Sequence, residues 1–208
     1  MMEYLVPAGA GGGELVEKRS RFIGEVFPAE TEAEARACIE AAGKRYHDAR
    51  HHCWCFRLQD GTERYSDDGE PQGTAGQPML NVFQRENITN FCCIVTRYFG
   101  GILLGAGGLV RAYSQSAKLA LDGAGIAAMR PWTAIFLPCP YPFLERIKLE
   151  LAAAQGALGE IQYGAEVGIH ALLPSDKVNG FTGRITDLTA GTCGVQTGEM
   201  VYRAGTPG

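Results

Sequence analysis

Apolar and polar positions along the chain alternate in short runs broken by glycine- and proline-rich turns, and in five places the apolar spacing shifts from two to three or four. The glycine cluster at 9–13 reads as a flexible end or a turn into the segment 14–17. Ser20 to Phe27, with Phe22 and Val26, reads as a strand, and the two segments are placed to pair as a hairpin. Thr31 opens a helix, since its hydroxyl is suited to cap the first turn and Glu34 follows at the capping-box distance. Ala35, Cys38, Ala42 and Tyr46 then recur at helical intervals. A strand is expected from Arg50 to Leu58, a polar loop over 59–73, and a short helix from about Thr74 carrying Pro78, Leu80 and Phe83. Phe91-Cys92-Cys93-Ile94-Val95 is a continuous apolar run of the kind found in buried strands. A glycine loop at 100–108 leads into a long helix with Leu109, Tyr113, Ala117, Ala120 and Ala124 on one face.

Pro131, Pro138, Pro140 and Pro142 then fall close together, and this punctuation places a boundary near Arg130, giving domains at 1–130 and 131–208. Beyond it the pattern reads strand (132–138), helix (143–155), two strands (157–163 and 165–173), helix (175–189) and strand (192–202). Leu144, Ile147, Leu151 and Ala154 mark one helix face, and Val178, Phe181, Ile185 and Leu188 the other. The fold class is α+β, and the βαββαβ order of the second half is that of a ferredoxin-like sandwich.

Composition narrows the function classes. The 208 residues are 46% hydrophobic and 20% charged, an ordinary globular balance. No apolar run is long enough to span a bilayer, and no basic segment followed by an apolar stretch opens the chain, so a cytoplasmic protein without a membrane partner is expected. Seven cysteines, four of them inside apolar runs, read as reduced thiols, with neither a disulfide nor a structural zinc. Residues 1–130 hold 14 basic and 16 acidic side chains, and residues 131–208 hold 5 and 7, so each half carries −2. Nucleic acid held by bulk charge alone is excluded on that balance, and no sequence-specific DNA binding is expected.

The densest chemical signal is the run from Arg97 to Ser114, where a buried strand ends, glycines turn the chain and a helix begins. Unpaired N–H groups at a helix start attract anions, and glycines let that backbone come close to them. Arg97, Gly105, Gly107, Gly108 and Arg111 are therefore the candidate anion- or nucleic-acid-binding residues, the alternative being that the glycines only permit close helix–sheet packing. Neither the Walker nor the dinucleotide-binding spacing is present. A local basic patch of Arg50, Arg64, Arg97, Arg111 and Lys118 is a further possibility.

The second signal is the loop 66–76, whose Asp67, Asp68 and Glu70 suit a metal, acid–base work, a partner, or pairing with the two arginines, and whose Thr74 suits a helix cap. Because this loop and the glycine loop flank the same buried strand, the acids are expected to face the arginines. His51-His52-Cys53-Trp54-Cys55 has zinc-like residue types but strand spacing, with no second ligand pair. No thiol sits at a predicted helix start beside a base, so no catalytic residue and no cofactor are assigned.

The stretch from Ser66 to Leu80 (SDDGEPQGTAGQPML), followed by Val95 to Ser114 (VTRYFGGILLGAGGLVRAYS), resembles the signature of the IMPACT family. Lys18 to Gly24 (KRSRFIG) and Ala49 to Phe56 (ARHHCWCF) add to the resemblance, which is specific over residues 15–125. It implies a first domain of the ribosomal-protein/elongation-factor-G domain IV type and a second like elongation-factor-G domains III and V. Eukaryotic members regulate translation through a partner bound by an additional RWD domain, and that partner is not carried over to this chain. The resemblance implies a non-enzymatic, translation-linked protein with RNA or a ribosome-associated component as partner. The alternative is a binding protein or enzyme for a small phosphorylated ligand at the glycine loop.

Overall fold

The computed structural model describes residues 3–205, which fall into two compact units, Tyr4–Ala128 and Met129–Gly205, the second taking in Glu3. In the first unit, strand β1 (Tyr4–Pro7) precedes β2 (Gly11–Glu17) and β3 (Ser20–Pro28), which pair antiparallel as expected. Helix α1 (Glu32–Arg45) is capped by Thr31, whose Oγ1 accepts from the Glu34 amide at 3.2 Å, while the Glu34 carboxylate accepts from the Glu30 amide at 2.7 Å. β4 (His51–Arg57), β5 (Glu63–Ser66), α2 (Gly76–Arg85), β6 (Phe91–Tyr98) and α3 (Ala106–Ala124) follow. β5 lies inside the stretch expected to be loop; Glu63-Arg64-Tyr65-Ser66 has too little apolar content to signal a strand, and forms one by pairing with β4.

The sheet order is β2-β3-β6-β4-β5, with all but the last residue of β6 buried. Period-two alternation splits its side chains. Phe22, Cys53, Cys55, Cys93 and Val95 face α2 and α3, whereas Phe56, Cys92 and Ile94 face α1. Residues 11–13 of the N-terminal glycine cluster are strand rather than a flexible end or turn, paired with β3 and covered by α3. A Cβ on Gly11 would stand 2.1 Å from the Ala124 amide nitrogen, and one on Gly24 would stand 2.5 Å from the Ser116 carbonyl oxygen.

The second unit runs β7 (Ile126–Cys139), α4 (Leu144–Ala153), β8 (Ala157–Tyr163), β9 (Val167–Pro174), α5 (Val178–Leu188) and β10 (Gln196–Gly205). Arg130-Pro131 was expected to be a short connection between the two domains. Instead β7 runs through it, and Pro131 falls one residue outside the β7–β9 ladder, which starts at Trp132, so that ladder does not need its missing N–H. Strands pair in the order β7-β9-β8, with β1 and β10 both on β7. The predicted helix faces, including Ile147, Leu151, Phe181 and Ile185, pack with Ile135, Leu137, Ile169 and Leu173. Among the described residues the chain is thus α+β, with two antiparallel sheets and five α-helices, none long and apolar enough to cross a membrane.

Candidate functional site

Alternation along β6 decides where Arg97 goes. Cys93 and Val95 point to the α2/α3 side, so Arg97, two residues on, enters the same side and is only 5% exposed. A buried guanidinium needs a partner. Nη1 donates to Glu70 Oε1 at 2.6 Å, and Nη2 donates to Ser20 Oγ at 3.3 Å. The same Glu70 oxygen accepts from the Tyr113 hydroxyl at 2.7 Å, and the Ser20 oxygen accepts from the Gly100 amide at 3.2 Å. The guanidinium also lies 5.3 Å from the Phe22 ring centroid and 5.5 Å from that of Phe99, while its Nε is buried without a partner. Arg97 was expected either as an anion contact or paired with the acidic loop, and the pairing is what forms. It ties four pieces together: the β2–β3 hairpin, the acidic loop, the glycine loop and α3.

The acidic loop has divided labour. Asp67 Oδ1 accepts from the Ala75 and Gly76 amides at 3.0 and 2.8 Å, and Oδ2 accepts from Gly73 at 2.7 Å. Its carboxylate therefore does for α2 what Thr74 was expected to do. The Thr74 hydroxyl turns the other way and donates to the Pro71 carbonyl at 2.6 Å. Asp68, in the left-handed region at φ 39°, accepts from the His52 amide at 2.6 Å, and its carbonyl meets His51 Nδ1 at 2.8 Å. His52 Nε2 lies 3.1 Å from the Tyr46 carbonyl. The Cys53 thiol donates to the Asp67 carbonyl at 3.0 Å, and burial pushes its pKa up. Burial likewise raises the Tyr113 hydroxyl, so both groups stay protonated donors. The structure thus joins Glu70 to Arg97, and uses Asp67, Asp68 and Thr74 to shape the loop that delivers Glu70.

What remains exposed lies above this network. Gly105 is the N-cap of α3 at φ 74°, a backbone that favours glycine, and Leu109 makes the first intrahelical bond back to it at 3.0 Å. The amides of Ala106, Gly107 and Gly108 therefore open the helix without intrahelical partners. Arg111 is exposed in the next turn. A Cβ on Gly108 would press on Leu104 Cβ at 2.9 Å, but one on Gly107 would meet only the Arg111 guanidinium, at 3.7 Å. Phe99 is 49% exposed and Leu103 81%.

The hairpin tip belongs to the same surface, although sequence reasoning missed it. A Cβ on Gly100 would sit 2.0 Å from the Arg19 carbonyl carbon, so glycine loop and tip touch backbone to backbone. Lys18 and Arg19 are exposed and form the two-residue turn with φ of 45° and 66°, a conformation better suited to Asn-Gly. Two residues between two strand segments are a hairpin signal, and the pair KR could have been found by it. The wider patch with Arg50, Arg64 and Lys118 does not form as drawn, because Arg97 is buried and Lys118 is bound to Asp122 at 2.6 Å and Glu86 at 3.1 Å.

Comparison with known proteins matches this geometry to its sequence. The Impact N-terminal domain matches residues 18–121, the span from the hairpin tip through α3, and a domain of unknown function, DUF1949, matches residues 137–192. The chain is 36% identical over 201 residues to the IMPACT family member YvyE of Bacillus subtilis, covering 96% of this chain and 93% of that one. It is 35% identical over 196 residues to the IMPACT family member YigZ of Escherichia coli, covering 92% and 96%. The crystal structure of a hypothetical protein, 33% identical, superposes with a TM-score of 0.62 over 96% of this chain and 98% of that one. The motifs that build the Arg97 network and the glycine loop above it are thus those of a known group, and the chain belongs to the IMPACT family.

Proposed function

We propose that the protein is a non-enzymatic, translation-linked factor of the cytoplasm that binds RNA, free or within a ribosome-associated particle, at the glycine-loop end of its first unit. The observation that carries this reading is Gly107. It stands in the first turn of α3, where no neighbouring atom and no left-handed φ demands glycine. Close approach of a ligand to the backbone accounts for it. Phosphate fits the open amides, Arg111, and the Lys18–Arg19 tip, which holds two cations in a turn suited to other residues. Phe99 and Leu103 add exposed apolar surface beside the cations, a combination suited to unpaired bases. So open a surface fits a polymer better than a small phosphorylated ligand. We read the element order of the second unit as ferredoxin-like and that of the first as elongation-factor-G domain IV-like, which fits the same setting.

Binding of a mixed-sequence single-stranded RNA, followed by anisotropy at two salt concentrations, tests the reading. Affinity should fall steeply with salt, and Arg111→Ala should weaken binding and lower the salt slope by about 0.7, one phosphate contact to a single strand. Unchanged affinity and slope in Arg111→Ala, or no binding by the wild type at low salt, would remove the proposal.

A further inference from the structure

The second unit carries a feature that the first-unit site does not use. Along β9, Val167, Ile169, Ala171 and Leu173 turn inward to the core shared with α4 and α5, while Gly168, His170 and Leu172 lie half-buried on the opposite face. Along β7 the outward set is Trp132, Ala134, Phe136 and Pro138. A sheet face that merely meets water alternates to polar residues. This one is aromatic and apolar at nearly every outward position of its two central strands.

We propose that this face is a second RNA contact, a platform on which unpaired bases stack, centred on Phe136 and His170. The two residues are directly opposed in the β7–β9 ladder, with ring centroids 4.7 Å apart and planes tilted by 41°. β7 and β9 are interior strands of their sheet, with β8 on the far side of β9 and both β1 and β10 on β7. Aromatics side by side on the interior strands of a sheet are an arrangement on which single-stranded bases stack. Gly168 lets the Phe136 ring lie down over the strand, since a Cβ there would stand 2.9 Å from a ring carbon. Beside the ring is a hollow of about 360 Å³ edged by Gln162, Tyr163 and Glu166. On the His170 side a second hollow, of about 350 Å³, is edged by Ala134, Leu158, Leu172 and Arg203. The ring pair thus has a recess on each side. Gln162 and Glu166 offer a donor and acceptors to a base edge, and Arg203, whose guanidinium lies 5.6 Å from the Trp132 ring centroid, offers a cation to the backbone. This half of the chain carries −2 overall, so recognition here runs through stacking rather than phosphate contacts, and its salt dependence is weak.

The inference shares with the proposed function only the ligand class, and the two separate in one experiment on the full chain. A mixed-sequence single-stranded RNA is bound to wild type, Phe136→Leu, Phe136→Tyr and Arg111→Ala at two salt concentrations, and wild type is crosslinked to it by ultraviolet light for peptide mapping. Phe136→Leu keeps an apolar side chain in the fold but removes the stacking ring. It should bind roughly tenfold more weakly with the salt slope unchanged, while Phe136→Tyr retains affinity. Crosslinks should map to the peptides carrying Phe136 or His170. Wild-type affinity in Phe136→Leu, with crosslinks confined to the first unit, overturns the platform and leaves the first-unit site standing. An effect of Phe136→Leu with a silent Arg111→Ala supports the platform and overturns the first-unit site. No RNA binding by the wild type overturns both.

Discussion

Replacing Glu70 with alanine should destabilise the first unit severely, and the size of the loss follows from its partners. The side chains of Arg97 and Glu70 are 6% and 4% exposed. Breaking a buried pair from one side leaves the other charge uncompensated and costs about 3–5 kcal/mol. The Tyr113 hydroxyl loses its acceptor at the same time, a buried donor worth about 1–3 kcal/mol more. The sum approaches the whole stability of an ordinary domain, about 5–15 kcal/mol. Urea unfolding followed by Trp54 fluorescence in a Trp132→Phe background, so that only β4 of this unit reports, measures it. Glu70→Gln keeps an acceptor for Tyr113 but drops the charge, and should fall between wild type and alanine. The decisive variant is Glu70→Leu/Arg97→Met. A buried ion pair can be exchanged for apolar residues of similar volume at little cost, so the double variant should recover most of what Glu70→Leu alone loses. A loss below about 1 kcal/mol in Glu70→Ala, or a double variant no more stable than the single, would show that the pair is not what holds the four pieces together.

Other perturbations test the rest of the structure. Lys18→Asn/Arg19→Gly puts better residues into the left-handed turn and should raise the urea midpoint while weakening RNA binding; a variant that loses stability contradicts the turn argument. Gly24→Ala drives a methyl into the Ser116 carbonyl and should cost about 1–3 kcal/mol, whereas Gly107→Ala should raise stability by up to about 1 kcal/mol while weakening RNA binding; equal thermal shifts in the two would be the wrong result. Burial raises the pKa of the Cys53, Cys55 and Cys92 thiols, so they stay protonated in the folded chain at a pH where the unfolded chain ionises. The stability they contribute is fully present below about pH 8.5 and falls above it, by up to about 1.4 kcal/mol per pH unit for each thiol. Urea midpoints should therefore drop between neutral and alkaline pH, less so in Cys92→Ala; a midpoint that holds or rises would refute the assignment.

Elements with a strong local signal were legible in the sequence. Thr31 with Glu34, the run Phe91 to Val95, and the face Ile147, Leu151 and Ala154 each carry their information within a few residues. β5 carried none, because its strand state comes from pairing with β4 rather than from its own composition. The glycine cluster at 9–13 misled for a related reason: glycine signals flexibility locally, and pairing with β3 beneath α3 makes residues 11–13 a strand. The convergence of Arg97 with Glu70 was legible, since both loops flank one strand. The burial of Arg97 was missed, although alternation from Cys93 and Val95 turns it inward. Tyr113 and Ser20, which complete the network, arrive from segments whose approach is set by tertiary packing, and no sequence spacing ties them to Glu70.

The motif resemblance and the physical reading also divide the Arg97–Arg111 stretch differently. The whole stretch marks the family, yet its members do three separate jobs. Arg97, at its start, is structural, held by Glu70 and lying against Phe22. Gly100, Gly105 and Gly108 are architectural, because a neighbouring backbone, a positive φ or a crowded side chain requires each of them. Gly107 and Arg111 answer to neither demand: one lacks a steric reason to be glycine, and the other is exposed without an ion pair among the described residues. A residue that stability does not account for, placed on a rigid support built from buried charges, is where binding is expected to reside. His51 Nδ1, His52 Nε2 and the Cys53 thiol in turn meet the loop that carries Glu70 or the chain just before β4, which gives these side chains a part in the support.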